Sequence, residues 1–185
     1  MHTVNKVKIK KYNSGFAMLE VLMTILVISV GALGLAGLQL ASVKYNMEAG
    51  IRSKATNLSL ELSDRMRSNM AGVKALSYDQ NNGYAAAVTA LAGKTDPGCG
   101  TTGDCTSVQL AQLDLWNWNT SILATLPQGT GAIVPIANNG FTYDIVVMWV
   151  EKTLQDDPDT TKRTDANCPP PLVVGVRCLR TPFIP

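Results

Sequence analysis

At 185 residues the chain is long enough for one modest folded domain but not two, since independent cores need on the order of 100 to 200 residues each; a large multidomain enzyme is excluded. Hydrophobic residues make up 46%, an average that hides a run, residues 21–43, with no charged side chain. The net charge of +2 comes from 16 basic and 14 acidic residues, and Lys6, Lys8, Lys10 and Lys11 supply more than that excess, so nothing points to nucleic acid, which draws clustered basic side chains. The single histidine is His2. A product cut downstream of this basic stretch would have no imidazole for acid–base work, no Ser-His or Cys-His nucleophile and no histidine metal ligand.

The first 15 residues, MHTVNKVKIKKYNSG, are basic and free of acid. A secretory signal would follow them with an apolar core of roughly 7 to 15 residues and a small-x-small cleavage site; here the apolar run is longer. As a helix rising ~1.5 Å per residue, residues 21–43 reach roughly 34 Å, enough to cross a ~30 Å hydrocarbon core. Lysines precede the run, and the mixed charges Lys44, Glu48 and Arg52 follow it. The positive-inside bias therefore places residues 1–15 in the cytoplasm and residues 44–185 outside.

Glu20 lies one turn inside the apolar run, where an unpaired carboxylate costs at least ~2.5 kcal/mol on insertion scales. Its surroundings, Gly15-Phe16-Ala17-Met18-Leu19-Glu20 after a basic leader and before about twenty apolar residues, resemble the processing site of type IV prepilins. The resemblance implies that prepilin peptidase cuts after Gly15 and methylates the new amino-terminal Phe16. The physical chemistry is compatible: the cut creates an ammonium on Phe16, and residues i and i+4 share a helix face, so Glu20 can neutralise it. In a bundle of such helices the same carboxylate can meet a neighbour's ammonium and set the axial register. Gly31, Gly34 and Gly37 sit mid-helix at a spacing of three. They read either as small-residue packing positions or as points of helix flexibility, each costing roughly 1 kcal/mol relative to alanine. Many major pilins bend this region with a proline; this chain has none before Pro97.

Beyond Val43 the pattern becomes amphipathic, with Ile51, Ala55, Leu58, Leu62, Met66 and Met70 at helical steps, Glu48–Arg52 and Glu61–Arg65 as i,i+4 pairs, and Gly72 as a stop. A straight helix over residues 16–71 would extend ~84 Å, so its first half projects from any globule of this size. Residues 73–105 read as a loop with one short helix, marked by turn signals at Asn81-Asn82-Gly83 and Asp96-Pro97-Gly98. A second helix is expected over residues 106–126, with Leu110, Leu113, Trp116 or Trp118, Ile122 and Leu126 inward and Pro127 ending it. Three strands are expected at 132–136, 141–151 and 172–179, the first two joined by a turn at Asn138-Asn139-Gly140. In the middle strand Phe141, Tyr143, Ile145, Val147 and Trp149 alternate onto one face, which should cover the long helix.

The cysteines, Cys99, Cys105, Cys168 and Cys178, all lie in the part placed outside, where disulfides form. Four cysteines allow three connectivities; Cys99–Cys105 with Cys168–Cys178 closes the shortest loops and is the expected pairing. A zinc site needs tighter spacings than these. Asp156, Asp157, Asp159 and Asp165 form an acidic loop, but Lys162 stands where an EF-hand needs glycine and Cys168 where it needs glutamate, so a solvated loop balanced by Lys162 and Arg163 is expected. No metal and no cofactor are called for.

Further along the chain, EVLMTILVISVGALGLAGLQ, ELSDRMRSNMAGV, LWNWNTSILATLPQGTGAIVPI and IVVMWVE resemble minor pilins of the PilV, or type IV pilus modification, family. The resemblance implies an α+β, type IV pilin-like fold: a cleaved leader over 1–15, a transmembrane and assembly helix over 16–43, its amphipathic continuation over 44–71, and a periplasmic globular domain over 73–185 with the helix packed on a small antiparallel sheet. It further implies a non-enzymatic subunit that helps initiate type IV pili at the tip, supporting adhesion and twitching motility. Its partners would be prepilin peptidase, other minor pilins and the major pilin, the inner-membrane assembly machinery, a tip adhesin, and membrane lipid before assembly. A minor pseudopilin of type II secretion shares the leader and plan; a membrane-anchored periplasmic enzyme would instead retain its leader.

Overall fold

The computed structural model describes residues 15–92, 95–99, 103, 105–136 and 141–185. The basic leader before Gly15 and the expected turn at Asn138-Asn139-Gly140 lie outside the described residues. The chain divides into two units, 1–48 and 49–185.

A single helix, α1, runs Gly15–Ser68. In the first unit its large apolar side chains, from Met18 to Val43, are all exposed, and one window of it is long and apolar enough to cross a membrane. In the second unit the predicted stripe is buried: Ala55, Leu58, Leu62 and Met66 sit in the main core, with Ile51 and Met70 packed against it. Of the two expected ion pairs along the helix, Arg65 meets Glu61 at 2.7 Å, whereas among the described residues no ion pair joins Glu48 to Arg52.

Gly72 does not end α1. The helix stops at Ser68, and Asn69, with non-helical dihedrals, caps a short helix α2 (Met70–Lys74) by accepting from the Gly72 amide, because an asparagine side chain competes with the helical backbone. The Asn69 amide also donates to the Ser107 carbonyl at 2.8 Å and to the Tyr78 hydroxyl. Gly72 is needed for a different reason, since a Cβ there would lie 2.8 Å from the Ser107 carbonyl oxygen. After α2 the backbone closes a Schellman turn, Leu76 and Ser77 donating to Val73 and Gly72, with Leu76 at φ +56 in the position usually taken by glycine.

The loop that follows contains the expected short helix, α3 (Tyr84–Ala92). Helix α4 (Ser107–Thr125) opens on a capping box between Thr106 and Gln109. Its buried face is Ala111, Leu115, Trp118 and Ile122, joined by Asp114 and Asn119. The inward set is therefore displaced from the Leu110–Leu113 row expected from hydropathy, because two polar residues with internal partners are buried in their place.

Strands β1 (Thr130–Pro135), β2 (Tyr143–Val150) and β3 (Val176–Phe183) form an antiparallel sheet in the order β1-β2-β3. Tyr143, Ile145, Val147 and Trp149 join the α1 stripe in one core cluster, as the alternation predicts; Phe141 lies before β2 and is partly exposed. The third strand begins four residues later than expected. Pro169–Pro171 cannot donate to a ladder, and Gly175, at φ +79, turns the chain into β3. The opposite sheet face is buried as well, with Ala132, Val146, Met148, Val176 and Cys178 packing on Ala87 and Cys168. Between β2 and β3 lie a short helix α5 (Lys152–Gln155) and one 3-10 turn, Thr160–Lys162.

Helix α4 approaches β1 so closely that a Cβ on Gly131 would overlap the Trp118 ring. Gly131→Ala should destabilise the fold by about 1–3 kcal/mol, the usual cost of overpacking, measured as a lower urea midpoint with unchanged slope. Leu76→Gly should have the opposite sign, a gain of about 0.5–1 kcal/mol from relieving a left-handed non-glycine residue. A third expectation concerns Glu151, whose side chain is 12% exposed and 2.7 Å from Arg177. Burial pushes its carboxyl up, but the hydrogen bond and charge of Arg177, helped by Thr153 and Arg52, outweigh that and hold it below the ordinary value of 4.5. A depressed folded pKa adds stability that is present above the unfolded value and lost as pH falls through the folded one. Thermal melts should therefore weaken as pH drops below 4.5, and Glu151→Gln should flatten that acid limb.

Candidate functional site

The apolar half of α1 carries few polar groups, and two of them are satisfied within the helix. Thr24 donates to the Val21 carbonyl at 2.8 Å and Ser29 to that of Ile25 at 2.6 Å, a backbone satisfaction that a lipid or helix-bundle setting requires. Glu20, the one carboxylate of this stretch, is exposed on the helix, and among the described residues no ion pair reaches it. Gly15 is the first residue of α1 and Phe16 the second, so helix geometry extends to the expected cleavage point. A Cβ on Gly31, Gly34 or Gly37 would meet nothing within 4 Å, and α1 is unbroken through all three. No contact within the chain calls for glycine there; the three leave a smooth strip on the helix surface.

The remaining site residues lie in the second unit. Cys99 is bridged to Cys105 and Cys168 to Cys178, with Cα separations of 5.3 and 5.2 Å. The acidic segment is held by its own hydrogen bonds. Asp157 accepts from the Asp159 amide, Asp159 accepts from Thr161 and pairs with Lys162, and Arg163 donates to the Asp157 carbonyl. Asp165 is buried; it accepts from the Asn167 amide and from the outward-facing amide of Cys178 on β3. Among the described residues no group of three or more His, Cys, Asp or Glu side chains could hold a metal ion.

Two features escaped the sequence reading. One is a buried polar cluster: the Tyr78 hydroxyl donates to Asp114 at 2.5 Å, and Arg65 donates to the same carboxylate at 3.3 Å. Burial, then the Asp114 bond, pushes the Tyr78 phenol well above its usual range. With Asn69, these residues tie the end of α1 to α4. No spacing rule links positions so far apart in the chain. The other is an apolar groove between α3 and α4, lined by Tyr84, Val88, Leu91, Trp116 and Leu123. Here a signal existed: Trp116 and Trp118 are two apart, and a helix turns them to different faces, so only one can enter the core. Trp118 does, donating to the Leu58 carbonyl at 2.8 Å.

A protein-family model described as type IV pilin Tt1218, the Tt1218-like family, matches residues 37–116. That stretch takes in the later part of α1, all of α2 and α3, and the first half of α4. Searches of curated proteins and of solved structures gave no match. The long amino-terminal apolar helix and the three-stranded antiparallel sheet make an α+β fold consistent with that of type IV pilins, to which the chain is similar over the matched stretch.

Proposed function

We propose that this chain is a minor pilin of the PilV kind. It is made as a prepilin, cut by prepilin peptidase between Gly15 and Phe16, methylated on Phe16, and held in the inner membrane by residues 16–43 with its carboxyl-terminal domain in the periplasm. It then joins other minor pilins in a complex that initiates type IV pili and sits at the tip, where it supports adhesion and twitching. The observation that carries this reading is Glu20 within an exposed apolar helix. A carboxylate at that position is costly in lipid unless a cation meets it, and cleavage after Gly15 supplies one four residues away. The two disulfides support an oxidising location for the second unit. The role is structural, and the chemistry is done on the chain rather than by it.

Mass spectrometry of the purified chain should show a mature amino terminus at methylated Phe16. Glu20→Leu should insert and be cut normally yet enter sheared pili at about a tenth of the wild-type amount or less, given the size of the lost charge pairing. Full complementation of a deletion strain by Glu20→Leu would overturn registration by Glu20, and retention of residues 1–15 would overturn the prepilin reading. Deleting the gene should abolish piliation and twitching; loss of enzyme secretion instead would assign the chain to type II secretion.

A further inference from the structure

The two disulfides have unlike surroundings. Cys168 and Cys178 are 5% and 6% exposed and belong to the second core cluster, among Ala132, Val146, Met148 and Val176. Cys178 lies inside β3, opposite Met148 of β2, and its amide donates to the buried Asp165 at 3.1 Å. Arg180 holds the same cover in place by donating to the Asn167 carbonyl at 3.2 Å. A thiolate opens a disulfide by attacking one of its sulfurs, so access governs the rate. Here an attacker reaches either sulfur only after the 165–168 segment has left β3 and the second core cluster has opened with it.

Cys99 and Cys105 are held differently. Neither belongs to a core cluster, and Cys105 is half-buried. It lies outside any helix or strand, directly before the Thr106 cap of α4. That cap does not depend on the bridge, because Thr106 and Gln109 satisfy each other. Further along, α4 is anchored by the Trp118 bond to the Leu58 carbonyl and by the Tyr78 bond to Asp114. Opening Cys99–Cys105 therefore disturbs neither core cluster and is a local event, not a global one.

The chemistry that makes the bonds obeys the same rule of access. Closing a bridge takes two electrons and two protons from a pair of thiols and passes them to a donor disulfide, which leaves as a dithiol; the exchange runs through a mixed disulfide between donor and chain. A mixed disulfide on Cys168 or Cys178 would put a second chain where the core cluster is already filled. We propose that the two bridges belong to different stages of maturation. Cys168–Cys178 is closed by a disulfide-donating oxidoreductase while β3 is still undocked. Cys99–Cys105 closes independently of that step and stays open to exchange in the finished fold. The chain is thus a substrate of thiol–disulfide exchange before its sheet is complete, and afterwards only Cys99–Cys105 follows the redox state of its surroundings.

Both halves are measurable on the full chain. Extracted in mild detergent, it is exposed to dithiothreitol, the thiols released with time are blocked with iodoacetamide, and peptide mass spectrometry reads each cysteine separately. Cys99 and Cys105 should be released at least about tenfold faster than Cys168 and Cys178, and in concentrated guanidinium chloride the two rates should converge. Equal native rates, or the reverse order, overturn the proposal. The order of closure is read on newly made chain, quenched with acid, alkylated and compared with its resistance to brief proteolysis. Every resistant molecule should carry Cys168–Cys178, and the Cys99→Ser, Cys105→Ser double variant should still reach resistance with that bridge formed. Resistant chain holding Cys168 and Cys178 as thiols, or a double variant that never becomes resistant, refutes the staging.

Discussion

The second unit depends on one apolar interface, the stripe Ala55, Leu58, Leu62 and Met66 of α1 against Tyr143, Ile145, Val147 and Trp149 of β2. A helix presents such a stripe with a period near 3.6 residues and a strand with a period of two. Each surface alone would leave several large side chains in water, at roughly 1.5–3 kcal/mol for each one buried. A three-stranded sheet with one bare face is marginal by itself. The helix therefore acts as the floor of the core, and α4 closes its side by sending the Trp118 ring over Gly131 and its Nε1 hydrogen to the Leu58 carbonyl.

The polar groups caught near this interface are organised so that burial is tolerable. Asp114 is buried but receives Tyr78 and Arg65, and Asn69 links Tyr78 to the start of α4. Removing one member would leave a buried charge or donor unmatched, which costs more than the bond itself contributes. On the far side of the sheet, Asp165 takes the outward amide of Cys178, and Arg180 donates to the Asn167 carbonyl. The segment before β3 thereby covers part of an edge strand that would otherwise offer unpaired backbone groups to another chain. The same segment carries Cys168, one end of the disulfide and a member of the second core cluster, with Val173 packed against that cluster.

Much of this architecture was legible in the sequence, and the exceptions have physical causes. The α1 stripe and the inward face of β2 follow from periodicity, which is strong where one face is buried and the other is not. The face of α4 was misread because Asp114 and Asn119 are buried with partners supplied by distant residues, and hydropathy treats every polar residue as outward. The start of β3 was placed early because Leu172, Val173 and Val174 have strand-forming side chains; the prolines before them and Gly175 after them decide the backbone. Gly72 looked like a helix stop, whereas the stop is Asn69 and the glycine admits the Ser107 carbonyl. Of the candidate site, the composition of the helix and the position of Glu20 were plain. The groove was not, because its walls come from helices that only the fold brings together.

The first unit poses the opposite problem from the second. From Met18 to Val43 every large apolar side chain is between 55% and 76% exposed. Soluble monomers rarely expose contiguous apolar patches beyond a few hundred Å2, so this surface needs lipid or other helices around it. In either setting dispersion and small-residue packing replace the hydrophobic drive, since tails and side chains are equally apolar. Packing of that sort is weakly specific along the helix axis: a bundle of leucine, valine and isoleucine side chains can slide by a turn at little cost. Thr24 and Ser29 cannot set the register, because both hydroxyls are already spent on their own helix. Gly31, Gly34 and Gly37 allow close approach but offer no preferred partner. A single carboxylate in low dielectric does supply one, since its attraction to a cation is large and is about halved when the separation doubles from roughly 4 to 8 Å. In the minor-pilin reading proposed above, the one strong contact among many weak ones falls on Glu20.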